Sequence, residues 1–343
     1  MRKMLFVLLA LTLAVSAFAT GAKEEPAATS AAPAATDKLV VYSPNSDGLL
    51  NATIPAFEKK YDVDVEVISA GTGELFKRLA GEANAPYADV VFGGAFATFM
   101  INEPLFQPYT SVNNAKVLEM YRNKTGFITP YVLDGSLILI NKKLIGDIQI
   151  KGYKDLLNPA LKGKIVSANP TASSSAYAHL TNMLKAMGGY ESQAAWDFVK
   201  ALFTNCVVID SSSAVWKGVR DGEYTVALSY EDPSVQLVRD GADVKVIYME
   251  EGAVFLPAGS GIVKGAPNLV NAQRFIDFIT SSEIQDVYGT TITNRPVMAN
   301  VATPAYMVNV KDIKLLEEDM DYVYKHKAEL QEKFKAIFVE ING

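Results

Sequence analysis

Four stretches of the sequence concentrate small hydroxyl, amide and glycine residues where a short apolar run gives way to an amphipathic one: residues 43–48, 71–73, 169–175 and 210–213. At the start of a helix such side chains can cap the free backbone amides, or leave them, with the partial positive charge behind them, to an anion. Capping alone explains any one turn. Four are expected to gather, because loops at the strand C-termini of an open α/β sheet surround one crevice. The triplets 173–175 and 211–213 hold more hydroxyls than a cap requires, and with the adjacent amides they suit phosphate or phosphonate oxygens. The expected anion end is Ser43, Asn45, Ser46, Thr72, Ser173, Ser174, Ser175, Ser212 and Ser213; Arg295, the basic side chain among such turns, either contacts the ligand or instead braces the hinge.

A second constellation, Ser229-Tyr230-Glu231-Asp232, closes an apolar run, and Glu250-Glu251 follows about twenty residues later. Carboxylates beside an anion are unfavourable unless they accept hydrogen bonds from ligand hydroxyl or ammonium groups. A ligand with a phosphate at one end and a polyhydroxy or amino group at the other satisfies both sets. Tyr230, Glu231, Asp232 and Glu251 are the expected contacts of that other end, although at least one of Glu250 and Glu251 also reads as a solvated turn residue.

Catalytic patterns are missing. Gly259-Ser260-Gly261 lacks the spacing of a nucleophile elbow, and there is no phosphate loop of the Walker type and no zinc-protease helix. His179 and His326 read as structural or solvated, and Cys206, at a strand start, as buried and inert. One cysteine and two histidines allow neither an internal disulfide nor a Cys/His zinc site. No catalytic residue, metal site or cofactor is expected.

The elements that must position these turns alternate. Apolar runs at 39–42, 63–68 and 89–92 read as strands. Leu50, Ile54, Phe57 and Tyr61, then Leu75, Phe76 and Leu79, mark helical faces between them. A second set has strands at 137–141, 164–167, 207–209, 226–229 and 244–248, and helices carrying Tyr177, Leu180, Leu184 and Met187, then Trp196, Val199 and Phe203. The chain is expected to return to the first lobe through 254–263 and a helix at 269–279, with a helical tail over 311–340. The class is α/β. Two crossings, near 129–135 and 251–257, would form a hinge between lobe 1, residues 38–133 and 255–305, and lobe 2, residues 134–254 and 306–343.

Composition bounds the rest. At 343 residues, with 49% hydrophobic and 20% charged residues, the bulk of the chain is a folded protein large enough for two domains. A net charge of -6 argues against a sequence-independent nucleic-acid binder, which needs a cationic surface. Met1-Arg2-Lys3, an apolar run to about Val15 and Ala17-Phe18-Ala19 form an export signal over residues 1–19, shorter than the roughly 20 apolar residues of a membrane span. Residues 20–37, rich in Ala, Thr, Ser and Pro, read as a flexible tether. The mature chain is expected free in the periplasm. Lipoprotein anchoring is the alternative, but no cysteine stands near Thr20.

Val40-Val41-Tyr42-Ser43-Pro44, Ile54-Pro55-Ala56-Phe57-Glu58, Ala88-Asp89-Val90 and Gly163-Lys164-Ile165 resemble the solute-binding proteins of ABC transporters, in the type 2 branch around the ferric-ion-binding family. The resemblance covers nearly all of residues 38–343. It implies the two-lobed periplasmic binding protein type 2 fold, with a mixed sheet in each lobe and a two-crossover hinge. It also implies a ligand cleft, and delivery by a monomer to a membrane permease with its ATPase. Iron binders of that branch commonly use adjacent tyrosines where this chain has Tyr230-Glu231, and a histidine ligand where it has Asn45-Ser46. Tyr230, Asp232 and Glu251 could still offer hard oxygen ligands to ferric ion, which is the alternative function. The turn 171–175 resembles that family's site for a co-bound anion, enlarged as in relatives that take up sugar phosphates or aminoethylphosphonate.

Overall fold

The computed structural model describes residues 36–298 and 300–343; the export signal and residues 20–35 of the tether lie outside the described residues. Among the described residues no helix is long and apolar enough to cross a membrane.

The first half opens with β1 (Lys38–Ser43), α1 (Asp47–Tyr61), β2 (Asp64–Ser69), α2 (Thr72–Gly81), β3 (Val90–Ala95) and α3 (Phe96–Ile101). β2, β1 and β3 lie side by side and parallel. As the spacing predicts, Leu50, Ile54 and Phe57 of α1 are buried, and Phe57 packs edge-on against Phe275 and Phe278 at ring-centroid distances of 5.2 and 5.6 Å. Each such side chain removed from water contributes about 1.5–3 kcal/mol.

The chain then enters β4 (Thr129–Asn141), longer than the run at 137–141 suggests. Beyond it come β5 (Ile165–Ala168), α4 (Ser174–Ala186), α5 (Gln193–Phe203), β6 (Cys206–Ile209), α6 (Ser212–Asp221), β7 (Val226–Tyr230), α7 (Glu231–Arg239) and β8 (Val244–Ile247). β6 and β7 flank β5 in parallel, while β4 runs antiparallel to β7 and β8. The return strand is β9 (Ala253–Ile262), followed by α8 (Leu269–Ile279), α9 (Ser282–Thr290) and β10 (Arg295–Pro296). Sequence periodicity did not separate α9 from the turn after it.

The tail departs from a single helix. β11 (Leu315–Leu316) adds to β9, and only then come α10 (Met320–Lys325) and α11 (Lys327–Asn342). Leu330 and Phe334 bury α11 against α5, with the Phe203 and Phe334 rings 4.8 Å apart.

The two expected crossings fall on β4 and at the start of β9. Residues 129–135 of β4 pair with β9, and from Ser136 onward its partner is β7. A Cβ at Gly135 would stand 2.4 Å from the Phe255 ring, so only glycine lets the crossings approach this closely. The result is a mixed sheet in each half, joined through β4, which pairs with β9 at one end and with β7 and β8 at the other.

His179 of α4 is buried beneath this junction, its Nδ1 2.9 Å from the Tyr153 hydroxyl and its Nε2 2.9 Å from the Leu137 carbonyl. Burial pushes its pKa down to about 4. Between that value and the ordinary 6.5 the unfolded chain takes up a proton that the folded chain refuses, so stability is lost as pH falls through this window, by about 3 kcal/mol at most. Urea unfolding of His179→Gln should therefore show a shallower loss between pH 7 and pH 4.5 than the parent. An unchanged slope would remove His179 as the cause.

Candidate functional site

Because β5, β6 and β7 are parallel, their C-terminal ends deliver the first turns of α4, α6 and α7 to one edge of the sheet. There a cavity of about 660 Å³ is lined by Ser173, Ser174, Ser175, Ser211, Ser212 and Tyr230, by Asp210, and by Asp134, Gly135 and Ser136 of β4 with Val254 and Leu256 of β9.

The two serine turns repeat one local design. Ser173 is the N-cap of α4 and accepts from the Ala176 amide at 3.3 Å, while its Oγ lies 3.0 Å from that of Ser175. Ser211 caps α6 through the Ala214 amide at 3.3 Å, and its Oγ lies 3.0 Å from that of Ser213. One cap satisfies one amide. First-turn amides at 174, 175, 212 and 213 have no carbonyl a turn earlier within the helix, so the serines bring spare donors together with the positive ends of two helices. Asn169 Nδ2 donates to Asp210 Oδ1 at 3.2 Å and ties the two turns to each other.

Among the expected site residues, Ser173, Ser174, Ser175, Ser212 and Tyr230 meet at this cavity. Ser213 stands beside it, exposed, through its Ser211 contact. The turns of the first half do not line it. Ser43 is fully buried and donates to the Phe92 carbonyl at 2.6 Å, and Asn45 is held by the same carbonyl and by the Tyr131 hydroxyl. Both are structural ties between β1, β3 and β4, drawn close because a Cβ at Gly93, where φ is +123°, would stand 2.8 Å from Asn45 Oδ1. Ser46 is the exposed N-cap residue of α1 and Thr72 the half-buried first residue of α2, neither at this cavity.

Three charged expectations require correction. Glu231 and Arg295 are buried together, at 1% and 3% exposure, in a two-pronged pair with Nε–Oε2 at 2.9 Å and Nη2–Oε1 at 2.5 Å. The Tyr248 hydroxyl also donates to Glu231, and Arg295 Nη2 donates to the Val308 carbonyl at 2.9 Å. Neither residue lines the cavity, and their pairing braces α7 against β10. Glu251 accepts from the amides of Tyr153 and Lys154, both at 3.0 Å, and caps a turn away from the cavity. Asp232 accepts from the Thr293 hydroxyl at 2.6 Å at the edge of the site.

The missed residue is Asp134. It stands on β4 opposite Leu256, lines the cavity and is more than a third exposed, the remainder being enclosed by protein. That enclosure, then the carboxylates of Asp232 and Glu231, push its pKa up to about 8, against the pull of the Glu231 and Asp232 amides at the start of α7. Water filling the open cavity moderates the rise. A lone acid inside the apolar run Tyr131-Val132-Leu133-Asp134-Gly135 was the available signal. Burial, and then Asp134, raise the Tyr230 phenol as well, while the Trp216 indole N–H beside it pulls the other way. That N–H is buried and without a hydrogen-bond partner.

A second cavity, of about 580 Å³, opens on the other face of β9, where Phe255 and Pro257 join Phe96, Met100, Tyr121 and Tyr324. It is mostly carbon-lined and contains neither serine turn. The half-buried Cys206 thiol, pushed up by its enclosure, stays protonated at neutral pH, and His326 is half-buried beside Glu329. Among the described residues no cluster of three or more His, Cys, Asp or Glu side chains is arranged to hold a metal.

Comparison with known proteins agrees with the architecture. The sequence profile of the family described as bacterial extracellular solute-binding protein matches residues 85–326. A probable ABC transporter periplasmic-binding protein of Sinorhizobium fredii, y4fP, is 28% identical over 316 residues, covering 87% of this chain and 86% of its own. The Fe(3+)-binding periplasmic protein of Serratia marcescens is 25% identical over 286 residues, covering 80% and 83%. Among solved structures, the periplasmic binding protein AfuA of Actinobacillus pleuropneumoniae, with fructose-6-phosphate bound, superposes with a TM-score of 0.72 at 23% identity, covering 88% of this chain and 98% of AfuA.

Proposed function

The chain belongs to the bacterial extracellular solute-binding proteins, the periplasmic receptors of ABC importers, and from that premise we propose that it captures a small phosphorylated organic anion, a sugar phosphate or a phosphonate. The observation that carries this is the pair of Ser-capped helix starts, α4 and α6, whose spare amides and hydroxyls converge on one cavity with Tyr230. Neutral donors hold an anion by dipole and hydrogen bond and release it readily, which suits a receptor that must pass its ligand on. Lobe 1 (residues 38–133 and 255–305) closes on lobe 2 (residues 134–254 and 306–343) about β4 and β9, and the closed monomer docks on the permease, whose ATPase drives uptake. The sugar phosphate bound to AfuA supports the ligand class. Neither an enzymatic step nor a resident cofactor enters this mechanism.

Ferric ion is the second reading, favoured by the Asp134 and Tyr230 oxygens at the cavity and by the Serratia relative. A thermal-shift panel separates the two. Sugar phosphates or phosphonates at a hundred times their dissociation constant should stabilise the fold by about 2.7 kcal/mol, and the free sugars should not. A response to ferric ion alone, with the colour of tyrosinate coordination, would overturn the phosphate reading.

A further inference from the structure

Successive residues of a strand point to opposite faces, and on β9 Val254 and Leu256 line the serine cavity while Phe255 and Pro257 line the second one. The two cavities differ in what builds them. The serine cavity takes only Leu256 from lobe 1, which marks this conformation as open. The second is walled by both lobes, with Ala97 and Met100 of α3 on one side and Met320 and Tyr324 of α10 on the other. α3 and α10 pack together there, and the Ala97 amide lies near enough to the Tyr324 phenol to oppose the rise that burial gives its pKa. Each helix is tied to its own lobe. Phe99 of α3 is buried against Phe76 and Phe106, with ring centroids 5.2 and 4.9 Å away. The Val323 carbonyl of α10 accepts from the Tyr177 hydroxyl of α4 at 2.5 Å, and Glu318, just before α10, accepts from Thr181 of α4 at 2.8 Å. α10 therefore moves with the serine turn of α4, and α3 with the first lobe.

We propose that the α3–α10 contact is a counterweight, made in the open receptor and parted by closure, through which Tyr324 and Met100 set ligand affinity from a cavity the ligand never enters. The inference rests on the proposed closure about β4 and β9, and on the phosphorylated-anion reading for its probes. A rotation that brings lobe 1 over the serine cavity draws it away from lobe 2 on the opposite face of β9. There α3 must leave α10, and carbon-lined walls must meet water, which opposes closure. The apparent affinity of a ligand is its affinity for the closed form reduced by the fraction of receptor in that form. Weakening the contact, or wedging it apart, should thus tighten binding, the reverse of what damage to a receptor does.

The test compares the parent with Tyr324→Ala, which removes the contact, and Met100→Trp, which adds bulk at a position already 43% exposed and wedges it. Calorimetry is run with fructose 6-phosphate, glucose 6-phosphate and methylphosphonate. Both variants should bind whichever of these the parent binds about fivefold or more tightly. Small-angle scattering of the ligand-free variants should show a smaller radius of gyration, and thermal melting confirms that they are folded. If neither folded variant gains affinity, the counterweight fails while the anion reading stands. If no probe binds any of the three proteins, the anion reading fails and scattering alone decides: an unchanged radius of gyration in both variants overturns the counterweight as well, and a smaller one upholds it.

Discussion

Arg295→Ala is expected to destabilise the protein by about 3–5 kcal/mol while leaving ligand affinity within about threefold of the parent. The stability loss follows from what remains. Glu231, 1% exposed, would keep only the Tyr248 hydroxyl, and its charge would be stranded between α7 and β10. The retained affinity follows because neither partner of the pair faces the cavity. Glu231→Gln should show a loss of similar sign, and the double variant Glu231→Leu with Arg295→Met should recover most of it, since well-packed apolar pairs often replace buried ion pairs at little cost. Urea unfolding of the four proteins closes the cycle, and calorimetry on the folded fraction reads affinity. If affinity collapses in Arg295→Ala while stability holds, the guanidinium belongs to the ligand after all.

Ser174→Asp, and separately Ser212→Asp, should weaken binding of a phosphorylated ligand about 100-fold or more with no loss of stability. Each position is the first residue of its helix, where an acidic side chain is neutral or mildly stabilising against the helix dipole, by about 0.3–1 kcal/mol. The same carboxylate would stand within about 5 Å of a bound anion, where unit charges repel by about 3 kcal/mol at the effective dielectric of a protein surface. Stability and affinity thus move apart, which a merely disruptive substitution does not do. The iron reading gives the opposite sign, because an added carboxylate at the site favours a ferric ion. Unchanged phosphate binding in both variants would move the anion away from α4 and α6.

Local chemistry made much of this legible. The helix faces of Leu50, Ile54 and Phe57, or of Leu180 and Leu184, are written in their spacing and buried as expected. The serine turns were recognisable because a cap acts on amides two or three residues away, as Ser173 does on Ala176. Two features blurred the tail and the crossing strand. β11 is two residues long and exists only because β9 is beside it, and β4 includes Asp134 and Gly135, which interrupt the apolar run that marks a strand. The hydroxyl and amide turns of the first half do not line this cavity for a related reason. Ser43 and Asn45 have the right chemistry, but their hydrogen bonds go to Phe92 and Tyr131, 49 and 86 residues away.

The sequence by itself determined the α/β alternation and the Ser-capped helix starts, both consequences of forces acting over a few residues. Only the tertiary structure decided which acids serve the site. Glu231 found Arg295 across 64 residues and Glu251 found the Tyr153 amide across 98, so both left the cavity, while Asp134 was carried into it by the meeting of β4 and β9. Pairing at such separations depends on where the sheet places each backbone, and a charged side chain settles on whichever partner is then within reach.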